Sequence, residues 1–153
     1  MATTVTAATL TVSVSEAITL NGVIKDSKAV TSIASIGEVS NRIMSIDSDT
    51  NGTDIVAIGA STLAGAGSYP KGTLKYLRIT NLDDTNFIII QFTDESSHYW
   101  ELKLEAGKTL MLGDVASIDD QADIDNFSAT AITKIIGKAD TADCDIELYI
   151  AST

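Results

Sequence analysis

Thr73-Leu74-Lys75-Tyr76-Leu77-Arg78-Ile79-Thr80-Asn81, then Asn86-Phe87-Ile88-Ile89-Ile90-Gln91-Phe92-Thr93, His98-Tyr99-Trp100-Glu101-Leu102-Lys103-Leu104 and Lys108-Thr109-Leu110-Met111-Leu112 are strand-length runs in close succession. The segments between them, Leu82-Asp83-Asp84-Thr85, Asp94-Glu95-Ser96-Ser97 and Glu105-Ala106-Gly107, are short and polar. β-branched and aromatic residues bounded by Asp, Asn, Ser and Gly specify strands, and connections this short predict an antiparallel meander. Phe87 to Phe92 is apolar on both faces apart from Gln91, so it is expected inside a sheet, covered on both sides or by a neighbouring chain.

The same period of two extends in both directions from this segment. Leu10, Val12 and Val14 alternate with Thr9, Thr11 and Ser13, and Ile18 and Leu20 lead into Asn21-Gly22, a pair suited to the positive φ angles of a type I′ turn. A hairpin over 16–26 follows. Residues 38–47, Asp54 to Ile58, Ala131 to Lys138 and Cys144 to Ala151 read as further strands. Residues 59–72 hold four glycines and the only proline, which predicts a long loop, and 113–129 has no strand period. Helical periodicity over more than ten residues is absent, although Asp26 to Ile36 mimics it. The expectation is an all-β fold, an antiparallel β-sandwich of jelly-roll type with nine or ten strands, organised as an N-terminal arm (1–8) and one domain (9–153). No repeat at a fixed period points to a solenoid or propeller.

Composition narrows the chemistry. With 10 Lys plus Arg against 21 Asp plus Glu, the formal charge is −11 and the pI about 4.2, a field that repels a phosphate backbone, so nucleic acid is not an expected partner. One His (His98), one Cys (Cys144) and one Trp (Trp100) leave little for acid-base, nucleophilic or thiolate-metal work. Cys144 sits at an apolar position of an alternating run and reads as a buried thiol. His98 has Ser97 and Asp94 nearby but no nucleophile elbow, and no phosphate-binding glycine loop occurs; no catalytic residue is assigned and the chain is expected not to be an enzyme. The N-terminus lacks the basic and apolar regions of a secretory signal, and no window approaches 18 uninterrupted apolar residues, so neither export by that route nor a membrane span is expected.

The sharpest local motif is Asp47-Ser48-Asp49-Thr50-Asn51-Gly52-Thr53-Asp54, which matches the first half of a calcium loop, D-x-[DN]-x-[DN]-G. Asp47, Asp49, Asn51 and Asp54 are therefore candidate Ca²⁺ ligands. The twelfth position is Ile58, where such a loop needs a bidentate Glu, so the competing reading is an Asx turn with Asn51-Gly52 supplying positive φ; otherwise no cofactor is expected. Asp114, Asp119, Asp120, Asp123 and Asp125 form a second acidic group, read as solvated charge or a cation-holding cluster.

Two stretches carry a resemblance. Thr9-Leu10-Thr11-Val12-Ser13-Val14-Ser15-Glu16-Ala17-Ile18-Thr19-Leu20-Asn21-Gly22 resembles the opening of small virion structural proteins of tailed bacteriophages, particularly podovirus-like phages of marine bacteria. The passage from Tyr76 to Asp84, through Phe87 to Phe92 and on from Leu102 to Leu112, is similar to their strand, Asn-Leu-Asp turn, strand, Ala-Gly turn, strand pattern. The resemblance covers about half the chain and implies a virion subunit present in many copies. Within that class it implies a capsid decoration (cement) protein bound to the outer shell and stabilising capsomer contacts, whose partners are the major capsid protein or another virion protein and further copies of itself. A tail, neck or fibre-associated subunit is the alternative role. From a different class, a carbohydrate-binding β-sandwich would use Trp100, Tyr69 and Tyr76 as a stacking face.

Overall fold

The computed structural model describes residues 6–59, 67–113 and 132–153. Thirteen strands and no helix occur among them: β1 (Ala8–Glu16), β2 (Thr19–Leu20), β3 (Val23–Ile24), β4 (Ser27–Ile36), β5 (Glu38–Ile46), β6 (Thr53–Gly59), β7 (Ser68–Pro70), β8 (Leu74–Asn81), β9 (Ile88–Asp94), β10 (Tyr99–Leu104), β11 (Thr109–Gly113), β12 (Ile132–Ala139) and β13 (Cys144–Ser152). The all-β expectation holds. Among the described residues no helix is long and apolar enough to cross a membrane.

Two sheets face each other. One runs β10-β9-β12-β6-β7 and the other β11-β8-β13-β5; every pairing is antiparallel except the short β6–β7 contact. Alternation decides what each buries. In the four-stranded sheet Leu77, Ile79, Ile146, Leu148 and Ile150 point inward, and in the five-stranded sheet Ile88, Ile90, Phe92 and Ile135 meet them in one continuous core. β9 lies inside its sheet, as its unbroken apolar run requires, with Ile89 and Gln91 half-buried on the outer side. Gly137 lets the layers approach closely: a Cβ there would lie 2.9 Å from Ile55 Cδ1 and 3.2 Å from Ile46 Cδ1. These orders give a β-sandwich, and they do not carry the finer jelly-roll label.

The expected four-strand meander is replaced by arches. β8 and β11 belong to one sheet, whereas β9 and β10 form a hairpin in the other, so the chain crosses the core at 82–87 and again at 105–108. Of the short polar segments that suggested hairpin turns, 82–85 and 105–107 are corners, whereas 94–97 is the expected hairpin turn and joins β9 to β10. Asn81 sets the first corner. Its side chain is fully buried at the end of β8; Nδ2 donates to Asn86 O (2.9 Å) and to Leu104 O of the opposite sheet (3.3 Å), while Oδ1 accepts from Asp83 N (3.0 Å). Asp83 Oδ1 then accepts from Asn86 N (2.6 Å) and Thr85 N (2.8 Å), and these backbone donors, Asn86 first, hold its carboxyl below the usual range. A second stitch between layers is Ala139 N donating to Asp47 O (3.0 Å).

The strand count also rises above the nine or ten expected. β7 lies inside the glycine-bearing segment 59–72, and β4 occupies the stretch whose spacing mimics a helix. β4 is fixed by its partner: it pairs with β1 along its whole length, from Ser27 opposite Glu16 to Ile36 opposite Ala8, with one bulge where Ser35 takes φ 62°.

Asn81→Leu keeps the shape but strands three backbone groups, the buried Leu104 carbonyl and the part-buried Asn86 carbonyl and Asp83 amide, so denaturant unfolding should report a loss of about 2–4 kcal/mol; a loss below about 1 kcal/mol would show that the corner is held by other contacts. Asp83 gives a pH test. Its folded pKa lies below that of the unfolded chain, so its contribution is complete above the ordinary Asp value of about 3.9 and disappears as pH falls through the folded value. The Tm gap between the wild type and Asp83→Asn should be constant at neutral pH and close in that acid window; a gap that persists at the lowest pH would contradict the assignment.

Candidate functional site

The feature that stands apart from the sandwich is the ribbon of β1 and β4. It pairs with itself, and its root rests on the outer face of the four-stranded sheet, where Leu10, Val12, Ile33 and Ile36 pack against Tyr76, Tyr149 and Ala151. Directly opposite residues share a face, so Leu10 with Ile33, Val12 with Thr31 and Val14 with Ala29 form the inward side, and its burial fades toward the tip. Every residue from Ser15 to Val30 is exposed. The tip closes as the sequence predicts: Asn21 and Gly22 take φ 52° and 78°, Leu20 faces Val23 and Thr19 faces Ile24, and Lys25 N donates to Ile18 O (2.8 Å).

The tip is nevertheless apolar. Ile18, Leu20, Val23 and Ile24 are 53, 52, 56 and 69% exposed, and nothing ionisable lies between Glu16 and Lys25. A two-stranded ribbon is marginal in water by itself, and grouped exposed aliphatics mark a contact surface. From Ala8 to Asn21 the ribbon reaches about 40 Å at about 3.3 Å per residue. Where it leaves the body it overhangs a hollow of ≈ 260 Å³, lined by Val12, Val14, Thr31 and Ile33 above and by Tyr76, Met111 and Gly113 below. Among the described residues no charged side chain lines it. Gly113 keeps its floor low, since a Cβ there would meet the Tyr76 ring at 2.6 Å. Beside the hollow the outer sheet face is polar and tied together: Arg78 pairs with Glu147 (2.8 Å) and lies 6.0 Å from the Tyr149 ring centre.

The candidate cation ligands are placed differently from one another. Asp49 Oδ1 accepts from Asn51 N (2.9 Å) and Gly52 N (3.1 Å), closing an Asx turn, and Gly52 adopts φ 68° with no room for a Cβ beneath Gly137 O. Asp54 forms an exposed ion pair with Lys134 (2.7 Å). Asp47 contributes its backbone N to Thr53 Oγ1 (2.9 Å), and Ser48 reaches Asp143 Oδ1, which lies far along the sequence. Among the described residues no three His, Cys, Asp or Glu side chains are grouped to hold a metal. The acidic group from Asp114 to Asp125 lies outside the described residues.

The remaining reactive side chains are occupied by structure. Asp94 Oδ1 accepts from Ser96 N and His98 N (both 2.8 Å) and its Oδ2 lies 3.1 Å from His98 Nδ1, which fixes the β9–β10 turn. Cys144 is buried, and desolvation first, then the Asp83 charge, pushes its thiol up to about 11. Trp100 stacks on Phe92 with ring centres 4.1 Å apart, while Tyr69 and Tyr76 are buried in different sheets, so the three aromatics do not form one sugar-stacking platform. Sequence reasoning saw the 16–26 hairpin but not its role. The signal was available: apolar residues on both faces of a turn region, where a merely solvated hairpin tip would be polar.

The loop geometry gives an expected outcome for calcium: the Tm should be the same in millimolar Ca²⁺ and in chelator, and a rise with Ca²⁺ that chelator reverses would restore the cation reading. Comparison of the chain with family models, with curated proteins and with solved structures returns no match.

Proposed function

We propose that the chain is a non-enzymatic virion structural protein, a capsid decoration subunit of a tailed phage that binds the outer shell and adds contacts between capsomers. The observation that carries this reading is the arm: a rigidly rooted ribbon whose far half is solvent-exposed and whose tip is aliphatic and uncharged. A side chain set of this kind serves association, and it offers no group for covalent or proton-transfer chemistry. The resemblance of residues 9–22 and 76–112 to small phage structural proteins supplies the class of assembly. The acidic turn at 83–84 and the loop at 47–54, both at the end of the sandwich where β9 begins, would complement a basic patch on a shell protein.

The test is imaging of particles assembled with the wild-type chain and with a chain whose residues 17–25 are replaced by a two-residue turn. The expected result is density over the outer shell for the wild type and an occupancy more than about tenfold lower for the shortened arm, with the Tm of the sandwich retained. Density confined to the tail or neck would move the chain to that alternative role, and absence from particles would overturn both.

A further inference from the structure

The sequence holds two Asn-Gly pairs, Asn21-Gly22 at the arm tip and Asn51-Gly52 in the acidic loop. Such a pair carries its own reaction. The backbone nitrogen that follows an asparagine can attack the side-chain amide carbon, and glycine, with no Cβ, leaves that nitrogen unshielded. What separates the two pairs is how firmly the nitrogen is held. Gly52 N donates to Asp49 Oδ1 (3.1 Å), and the residue is wedged against β12, where a Cβ would lie 2.7 Å from Gly137 O. Asn51 N donates to the same carboxylate oxygen (2.9 Å), and Ser48 N anchors the loop to Asp143 Oδ1 (2.9 Å). Bringing Gly52 N onto the Asn51 side chain therefore breaks a charge-assisted hydrogen bond and lifts the turn off the sheet.

Gly22 has neither restraint. Among the described residues its N–H has no hydrogen-bond partner, and nothing lies within 4 Å of where a Cβ would stand. Asn21 is exposed and held at φ 52°, a left-handed conformation that is unfavourable for a residue with a Cβ. Beneath the turn stand only Leu20 opposite Val23 and Thr19 opposite Ile24, before Lys25 N closes on Ile18 O. A ladder of two pairs at a ribbon end opens readily.

The geometry points to Asn21 as a site of spontaneous deamidation, with Asn51 protected by its loop. Gly22 N attacks Cγ of Asn21, its proton leaves with the side-chain NH₂ as ammonia, and a cyclic imide forms. Water then adds to one or other imide carbonyl and breaks its bond to nitrogen, giving aspartate or isoaspartate; the net reaction consumes one water and releases one ammonia. Either product places a carboxylate in the stretch between Glu16 and Lys25, which has no ionisable side chain in the parent sequence. Aspartate keeps the turn, since Asp-Gly suits the same φ angles. Isoaspartate adds a main-chain carbon and disturbs the direct facing of Leu20 and Val23. A carboxylate is costly to bury in an apolar contact, so a deamidated tip binds its partner less tightly. This last consequence deepens the proposed function and rests on the tip being the contact, whereas the reaction at Asn21 does not.

Peptide mapping of the folded full-length chain during incubation in warm, mildly alkaline buffer should show Asn21 converting at least about tenfold faster than Asn51, a factor that one hydrogen bond to a charged acceptor is enough to produce. Both aspartate and isoaspartate should form. In denaturant the two pairs should convert at like rates, because both precede glycine. Similar rates in the folded chain, faster conversion at Asn51, or a gap that persists in denaturant would overturn the assignment. On particles, Asn21→Asp should lower occupancy about tenfold at unchanged Tm. Full occupancy of Asn21→Asp, with occupancy lost when residues 17–25 are shortened, would overturn the consequence and leave the tip as the contact. Selective conversion of Asn21 with full occupancy of the shortened arm would overturn the proposed function and leave the modification site standing.

Discussion

A single buried amide governs how the chain divides itself between two layers. Asn81 ends a strand of one sheet and donates to the backbone of Leu104 in the other, and it can do so only if the segment between them crosses the core rather than folding back. In a low-dielectric interior an unpaired amide is costly, so an alternative register would leave its donors and the Leu104 carbonyl stranded. The arches at 82–87 and 105–108, the assignment of β8 and β11 to one sheet and β9 and β10 to the other, and the closure of the hydrophobic core all follow from that crossing.

Strand identity was legible in the sequence because burial on one face writes itself as alternation. Leu10-Val12-Val14, Leu77-Ile79 and Ile146-Leu148-Ile150 are such records, and Asn21-Gly22 announced its turn with equal clarity. Sheet membership was not legible. Leu82-Asp83-Asp84-Thr85 has the composition of a hairpin turn, and what makes it an arch is a hydrogen bond from Asn81 to a residue more than twenty positions away. β4 escaped for a related reason: most of its positions are exposed, and its two buried residues, Ile33 and Ile36, stand three apart across the bulge at Ser35, a spacing that mimics a helix and not a strand. At the acidic loop the motif located a turn correctly, while the ion pair of Asp54 with Lys134 and the contact of Ser48 with Asp143 come from distant residues that spacing cannot reveal.

The distribution of charge separates two kinds of surface. Acid gathers in the turns, where carboxylates such as Asp49, Asp83 and Asp94 cap backbone donors, so part of the net charge stabilises loops. The arm tip is the region kept free of it. Like net charge keeps such chains apart, so an uncharged patch such as the tip is where a contact would meet least repulsion.

The root of the arm rests on Tyr149 and Ala151, in the last strand of the chain. The ribbon itself has local pairing and forms on the microsecond scale of hairpins, whereas the sandwich joins segments as distant as β5 and β13 and belongs to the slow end of folding. Without β13 the ribbon has only Tyr76 of β8 to rest on and lacks most of its platform. In the proposed assembly role, the direction of the arm is therefore set by the sheet that joins β8 to β13 and not by the ribbon itself.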